Sequence, residues 1–205
     1  MNPKIVIDKI RNLSNPTILF IGANRGDELS NFDNSFSNGI MHLIEPEPKL
    51  KDTILGSASK LKNFQYKYHT FAISDEEKEV DWFTSSGLCS GTILQPGNFP
   101  NIKNSGHTVQ CKSLDQFVEE EGIKHIDLIW CDAEGSEMEI LRGGQKAFGI
   151  TNFALLEIAN AWWKPRDKDP ISNKKVLEIL KSFSYNYEIV LKQSINILIK
   201  NTKFN

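Results

Sequence analysis

Two glycines and a carboxylate set the first chemical constraint. The stretch Thr17-Ile18-Leu19-Phe20-Ile21-Gly22-Ala23-Asn24-Arg25-Gly26-Asp27 is an apolar run that breaks into a glycine-punctuated turn. Such a run, bounded by glycines, is expected to be a buried strand, parallel to its neighbours if both faces are covered. Gly22 lets the chain leave the strand at dihedrals that a Cβ would hinder, and Gly26 lets the next helix start close to whatever sits above the strand. Strand ends of this kind are where open α/β sheets bind nucleotide-like ligands. A second apolar run, Ile40-Met41-His42-Leu43-Ile44, ends at Glu45. That is about 20 residues past the turn, where an acid can hold both hydroxyls of a ribose. A pyrophosphate cradle uses G-x-G-x-x-G. Here only Gly22 and Gly26 are present, with Asn24 and Arg25 between them. The combination favours S-adenosylmethionine over NAD.

Other side chains could join this chemistry. Asp132 and Glu134 stand two apart just past the strongly apolar run Ile126 to Cys131, so both point to one side if the strand persists. Asp75, after Ser74, could accept from an adenine amino group or serve as a turn acid beside Glu76 and Glu77. Glu157 ends another apolar strand. Trp162 and Trp163 could stack on a sugar ring or fill space in the core. His42, His69, His107 and His125 are scattered without a metal spacing and read as structural. Cys89, Cys111 and Cys131 are odd in number and unpaired in spacing, which suits small buried thiols in a reducing, cytoplasmic setting.

The elements that must position these residues follow from the pattern. At 205 residues the chain suits one domain with a sizeable core. A net charge of −2 argues against a strongly basic nucleic-acid surface. No apolar run approaches a membrane span, and the N-terminus is too short and charged for a signal-peptide core. Residues 3–13 are expected to form an N-terminal helix or arm. Strands are expected at about 17–22, 40–45, 66–73, 79–84, 108–112, 126–132, 153–158, 185–191 and 195–199, with 79–84 hairpinned to 66–73 across Asp75-Glu76-Glu77-Lys78. Helices are expected at 27–36, 48–61, 114–121, 135–148 and 171–183. Residues 85–106, rich in Ser, Gly, Asn and Pro, and the polar, aromatic segment 159–170 read as functional loops. Alternating strands and helices imply a doubly wound α/β sheet in a single domain spanning 1–205, its last two strands an antiparallel edge pair.

The ordered motifs also carry a family resemblance. Phe20-Ile21-Gly22-Ala23-Asn24-Arg25-Gly26-Asp27 is followed by Ile44-Glu45-Pro46-Glu47-Pro48, Ala72-Ile73-Ser74-Asp75 and Ser113-Leu114-Asp115-Gln116-Phe117. Then come Ile126 to Glu137, with Asp132-Ala133-Glu134-Gly135-Ser136-Glu137, and Leu155-Leu156-Glu157-Ile158. Over residues 15–160 this resembles the FkbM family of S-adenosylmethionine-dependent methyltransferases. The resemblance implies a class I methyltransferase (Rossmann-like) sheet of about seven strands with an antiparallel C-terminal edge hairpin. It also implies O-methylation of a hydroxyl, often on a sugar or natural product. Two positions depart from the family pattern: Arg25 replaces a small or apolar residue, and Trp130-Cys131 replaces Lys-Ile.

The resulting expectation is an S-adenosylmethionine-dependent O-methyltransferase acting on a saccharide or small natural product. Gly22, Ala23, Asn24, Gly26, Glu45, Pro46, Ser74, Asp75 and Asp132 are expected to hold the cofactor. Asp132 and Glu134 are the catalytic candidates, one as base and the other holding the methionine amine or the acceptor. A divalent cation on Asp132 and further oxygens is the variant mechanism. Ser90, Trp162, Trp163 and Glu157 are expected to meet the acceptor, under loops 85–106 and 159–170. Two other readings remain: a catalytically weak cofactor-binding module within a biosynthetic complex, kept open by Trp130-Cys131, and an NAD-dependent oxidoreductase.

Overall fold

The computed structural model describes residues 2–85, 91–95, 102–158 and 172–204. The N-terminal helix α1 (Pro3–Ile10) begins at Asn2, whose side chain accepts from the Lys4 N–H, and Pro3 starts it without wasting a donor. The first apolar run is β1 (Thr17–Ile21). After it come α2 (Leu29–Asp33), β2 (Gly39–Ile44), a 3-10 turn at Pro48–Leu50, α3 (Lys51–Ala58) and β3 (Phe64–His69). The middle of the chain holds β4 (Ala72–Ser74), β5 (Lys78–Ser85), β6 (Gly91–Thr92) and β7 (Ile102–Ser113). The remainder runs α4 (Leu114–Glu120), β8 (Ile126–Cys131), α5 (Glu137–Arg142), α6 (Gln145–Gly149), β9 (Thr151–Glu157), α7 (Asn173–Ser182), β10 (Tyr187–Gln193) and β11 (Asn196–Asn201).

Among the described residues, seven strands form the main sheet in the order β10-β11-β9-β8-β1-β2-β3. The first five in sequence pair in parallel, while β11 runs antiparallel to both β9 and β10. Strand alternation sends successive side chains to opposite faces. Ile18, Phe20, Leu43, Trp130 and Leu155 pack under α1, α2 and α3. Leu19, Ile21, Ile44, Cys131, Ala154 and Leu156 pack under α4, α5, α6 and α7. Helices thus cover both faces, which explains why the central strands read as unbroken apolar runs.

Several sequence expectations need correction. The run at 66–73 is divided: the chain bends after His69, and β4 belongs to a second sheet of order β4-β7-β5-β6. The expected hairpin between 66–73 and 79–84 does not form, because β7 lies between β4 and β5 and pairs with both, Cys111 facing Ala72 on one side and Lys78 on the other. Segment 85–106 is not one loop. Strand β5 continues to Ser85, β6 covers Gly91–Thr92, and β7 begins at Ile102, six residues before the expected strand. The early part of β7 is mostly solvent-facing and polar on both sides, so it carries no apolar period to read. Residues 86–90 and 96–101 of that segment lie outside the described residues, as does all of 159–170. The expected helix 135–148 breaks into α5 and α6 at Gly143-Gly144. A Cβ on Gly143 would lie 2.2 Å from the Ser74 carbonyl oxygen, so the helix can press against β4 only because that residue is glycine.

Trp130, the departure from the family pattern, is 5% exposed. Its ring meets Phe32 edge-on at 5.7 Å and lies 6.1 Å from Phe20, and Phe20 and Phe32 are themselves perpendicular at 5.4 Å. The indole is therefore a structural part of the core beside the cleft. Replacing it with alanine is expected to cost about 3–5 kcal/mol of unfolding free energy, measured by urea denaturation.

Candidate cofactor and active site

The carboxyl ends of β1, β2 and β8 converge on one cleft of about 980 Å³, counting its open mouth. Gly22 makes the convergence possible. Its φ is +81°, and a Cβ there would lie 2.0 Å from the Asp132 carbonyl oxygen. The Gly22 and Ala23 N–H groups both donate to the Ile44 carbonyl at 3.0 Å, and the Asp132 N–H donates to the Ile21 carbonyl at 3.0 Å. Asn24 and Gly26 also take positive φ, so the turn curls tightly above the sheet.

Glu45 lies at the bottom of this cleft and is 5% exposed. Its Oε2 accepts the Asn24 N–H at 2.9 Å, and its Oε1 accepts the Glu47 N–H at 2.9 Å. Each oxygen keeps further acceptor capacity for a ligand hydroxyl. Burial pushes its pKa up to about 7 against the pull of the two backbone donors, and the nearby Glu47 charge adds to the rise. Glu47, at 2% exposure, takes the indole N–H of Trp82 at 2.9 Å and faces His107 Nε2 at 3.8 Å. The second sheet is thereby fastened across the cleft, where Trp82, Thr84, Gly91, Thr92 and Ile93 form a wall.

The opposite side is acidic. Asp132 is exposed to the cleft, next to Glu134, whose φ of +50° is followed by Gly135 at +97°. Thr92 Oγ1 donates to the Glu134 carbonyl at 3.0 Å and ties this unusual turn to β6. Glu137 is fully buried behind it and accepts the Ala133 N–H at 3.1 Å. Burial raises Glu137 to about 8, and the Asp132 charge adds to the rise. Glu157, at the end of β9, is raised to about 9 by burial first, and then by its hydrogen bond and charge contact with Asp132. The Glu157 carboxyl thus stands beside that of Asp132, and the two are electrostatically coupled. Glu28, also in the cleft wall, is raised by burial above all.

Of the residues singled out from sequence, Gly22, Asn24, Glu45, Pro46, Asp132 and Glu134 line one cleft. Ala23 and Gly26 are buried in the turn itself. Ser74 is fully buried, and its hydroxyl donates to Asp75 at 2.9 Å. Burial alone would raise Asp75, but the Lys78 ammonium at 2.6 Å and the Ser74 hydroxyl outweigh it and hold Asp75 near 2. The cleft wall nearest to it is formed by Phe71, Ala72 and Ile73. Glu157, expected to meet the acceptor, stands beside Asp132. Ser90, Trp162 and Trp163 lie outside the described residues. Sequence reasoning did not single out Trp82 or Glu47 as site residues: Trp82 sits in a segment without a motif, and Glu47 followed the strand-end acid without a signal of its own.

These features together match a known family. Residues 21–188 match the methyltransferase FkbM domain. The chain belongs to the FkbM methyltransferase family. It is an S-adenosylmethionine-dependent methyltransferase, and the oxidoreductase reading falls away. The FkbM chain is also similar to 2-O-methyltransferase NoeI of Sinorhizobium fredii (strain NBRC 101917 / NGR234), 26% identical over 203 residues that span 92% of this chain and 80% of that protein. Among solved structures it is similar in fold to a SAM-dependent methyltransferase from Aquifex aeolicus, at 14% identity and TM-score 0.53, covering 98% of this chain and 88% of that one. A fibrillarin from Aeropyrum pernix with bound S-adenosyl-L-methionine gives 10% identity and TM-score 0.51, covering 97% and 74%. The FkbM cleft fits this cofactor: a side chain at Gly22 would close the turn, and Glu45 presents two buried acceptors where a ribose diol would lie.

Because Glu45 titrates near 7, affinity for S-adenosylhomocysteine is expected to fall as pH drops from about 8 to about 6, when a proton occupies one acceptor. Glu45→Gln should abolish that pH dependence, and Glu45→Ala should weaken binding by about 1.5–3 kcal/mol. Calorimetric titration across this range checks both. Glu137 gives a stability counterpart. Its folded pKa of about 8 exceeds the unfolded value, so its contribution is fully present below the unfolded carboxylate range and is lost as pH rises to about 8. Glu137→Gln is expected to flatten the decline in melting temperature over that window.

Proposed function

We propose that this enzyme methylates a hydroxyl of a saccharide or another small, uncharged, hydroxylated molecule. The observation that carries the reading is Asp132, just past the end of β8 and open to the cleft beside the glycine turn. The name of the relative NoeI, a 2-O-methyltransferase, supports oxygen as the acceptor atom. The lining sets Asp27, Glu28, Asp132 and Glu134 against the single cation Arg25 among the described residues, and this acidic excess supports a neutral polyhydroxyl acceptor over a phosphorylated one, because like charges repel in a partly desolvated cleft.

Bound S-adenosylmethionine supplies an electrophilic methyl group on a sulfonium. Glu45 would hold the ribose hydroxyls, and the turn from Gly22 to Gly26 would leave room for the methionine portion. Asp132 would accept the proton of the acceptor hydroxyl as that oxygen becomes nucleophilic. Glu157, whose proton affinity is raised by burial and by the neighbouring Asp132, would help to orient Asp132. Thr92 and Gly135 hold the loop so that Asp132 faces the cleft. A metal-assisted version would need ligands close to Asp132. Among the described residues, no third histidine, cysteine or carboxylate completes such a set there.

Asp132→Asn is expected to lower kcat by about 10²–10⁴, while affinity for S-adenosylhomocysteine changes far less. The assay is release of S-adenosylhomocysteine with a panel of neutral glycosides and their phosphorylated counterparts, alongside calorimetry. Equal losses in turnover and cofactor affinity would make Asp132 a cofactor ligand, and turnover confined to phosphorylated acceptors would overturn the neutral-acceptor reading.

A further inference from the structure

His42 and His69 are far apart in sequence, yet β2 and β3 bring them together. The parallel register sets His42 opposite Lys67 and Ile44 opposite His69. Residues two apart on a strand share a face, so His42, Lys67 and His69 all project on the side covered by α4. Phe117 of α4 meets both imidazoles edge-on, at 5.6 Å from His42 and 4.9 Å from His69. Glu121, the residue that caps the C-terminus of α4, reaches over the same spot.

The geometry is specific. His42 Nδ1 and His69 Nε2 are 3.2 Å apart. Their ring centroids are 5.4 Å apart and their planes differ by 7°, so the rings lie edge to edge in nearly one plane and share a single N–H proton. Nitrogens bound to one tetrahedral zinc at ~2.0–2.1 Å would stand roughly 3.3–3.4 Å apart. The two nitrogens are therefore close to ligand spacing, and because they now face each other across a hydrogen bond, each ring turns within the plane to aim its lone pair at one ion beside the N–N line. Glu121 Oε2 is 4.0 Å from His42 Nδ1, and all three ligand atoms lie within 4.8 Å of one another. At 23% side-chain exposure, the Glu121 carboxylate has room to close the remaining gap.

We propose that His42, His69 and Glu121 form a binding site for one zinc-like divalent ion, separate from the methyl-transfer cleft. Two imidazoles and a carboxylate suit zinc better than magnesium or calcium, which prefer all-oxygen sets. The ion replaces the shared proton, which moves to the outer nitrogen of its own ring, so no net proton is released. Burial lowers His42 to about 4 and lowers His69 as well, while the Lys67 hydrogen bond holds Glu121 below the usual carboxylate range. The opposing groups are Lys67, 2.7 Å from Glu121, and Lys112, whose charge also acts on His69. Lys67 is 51% exposed and can swing into solvent when the ion takes its partner. The ion would pin the end of α4 to β2 and β3. It would sit behind Phe71, which contacts both His69 and Phe117 and forms part of the cleft wall.

The test is zinc titration of the tag-free, full-length protein by calorimetry in a non-chelating buffer, with metal content measured after dialysis. One saturable zinc site is expected in the wild type. His69→Ala should weaken it by more than about tenfold, with S-adenosylhomocysteine binding retained as the measure of an intact fold. If His69→Ala loses that binding, Glu121→Gln, at the partly exposed helix end, gives the same comparison. Absence of a saturable zinc site in the wild type overturns the proposal. So does a site of unchanged affinity in a variant that still binds S-adenosylhomocysteine.

Discussion

The cleft depends on the close passage of two strand ends. At Gly22 the backbone of β1 turns within 2.0 Å, measured from a hypothetical Cβ, of the Asp132 carbonyl at the end of β8. With that Cβ absent, Asp132 can bond back to Ile21 while Gly22 and Ala23 bond across to Ile44. Three strand ends are thus locked through backbone groups alone. Glu45, just past β2, and Asp132, just past β8, then line the same cleft. A side chain at this position would cost both the positive-φ conformation and the passage.

Around that lock the enzyme concentrates carboxyl groups. Glu137 and Glu157 stand near Asp132, and burial raises both well above ordinary carboxylates. Such an arrangement is destabilising at neutral pH and has a plain use only at a site that must move protons or host a cation. The strained turn at Glu134 belongs to the same economy, and it is held by the Thr92 hydroxyl from the second sheet.

The second sheet therefore walls the cleft and braces the loop that carries Asp132 and Glu134. Trp82 reaches Glu47, and Gly91 packs so tightly on the Trp82 ring that a Cβ there would lie 2.1 Å from it. The acid that follows Glu45 in the chain thus links the cofactor turn to a wall assembled from β5 and β6. Its contacts join the two halves of the cleft, one built by the Rossmann-like sheet and one by the smaller ribbon.

How much of this was legible beforehand follows the range of the forces involved. Local sequence determined the buried strands, since a run such as Ile126 to Cys131 can satisfy its apolar side chains only between two covered faces. It also determined the turn at Gly22 and Gly26, the acid at Glu45 and the Asp132-Ala133-Glu134 element, because strand periodicity and glycine dihedrals act over a few residues. The family motifs raised these to a cofactor and a reaction class. Tertiary structure alone decided that β7 slips between β4 and β5, that Glu157 comes beside Asp132, that Trp82 reaches Glu47 and that His42 meets His69. Those pairings join residues tens of positions apart through sheet register and helix placement, and the polar strands that carry several of them have no apolar rhythm. A contact set by the packing of distant elements leaves no local trace in composition or spacing, whereas a strand end or a glycine turn carries its reason in the few residues around it.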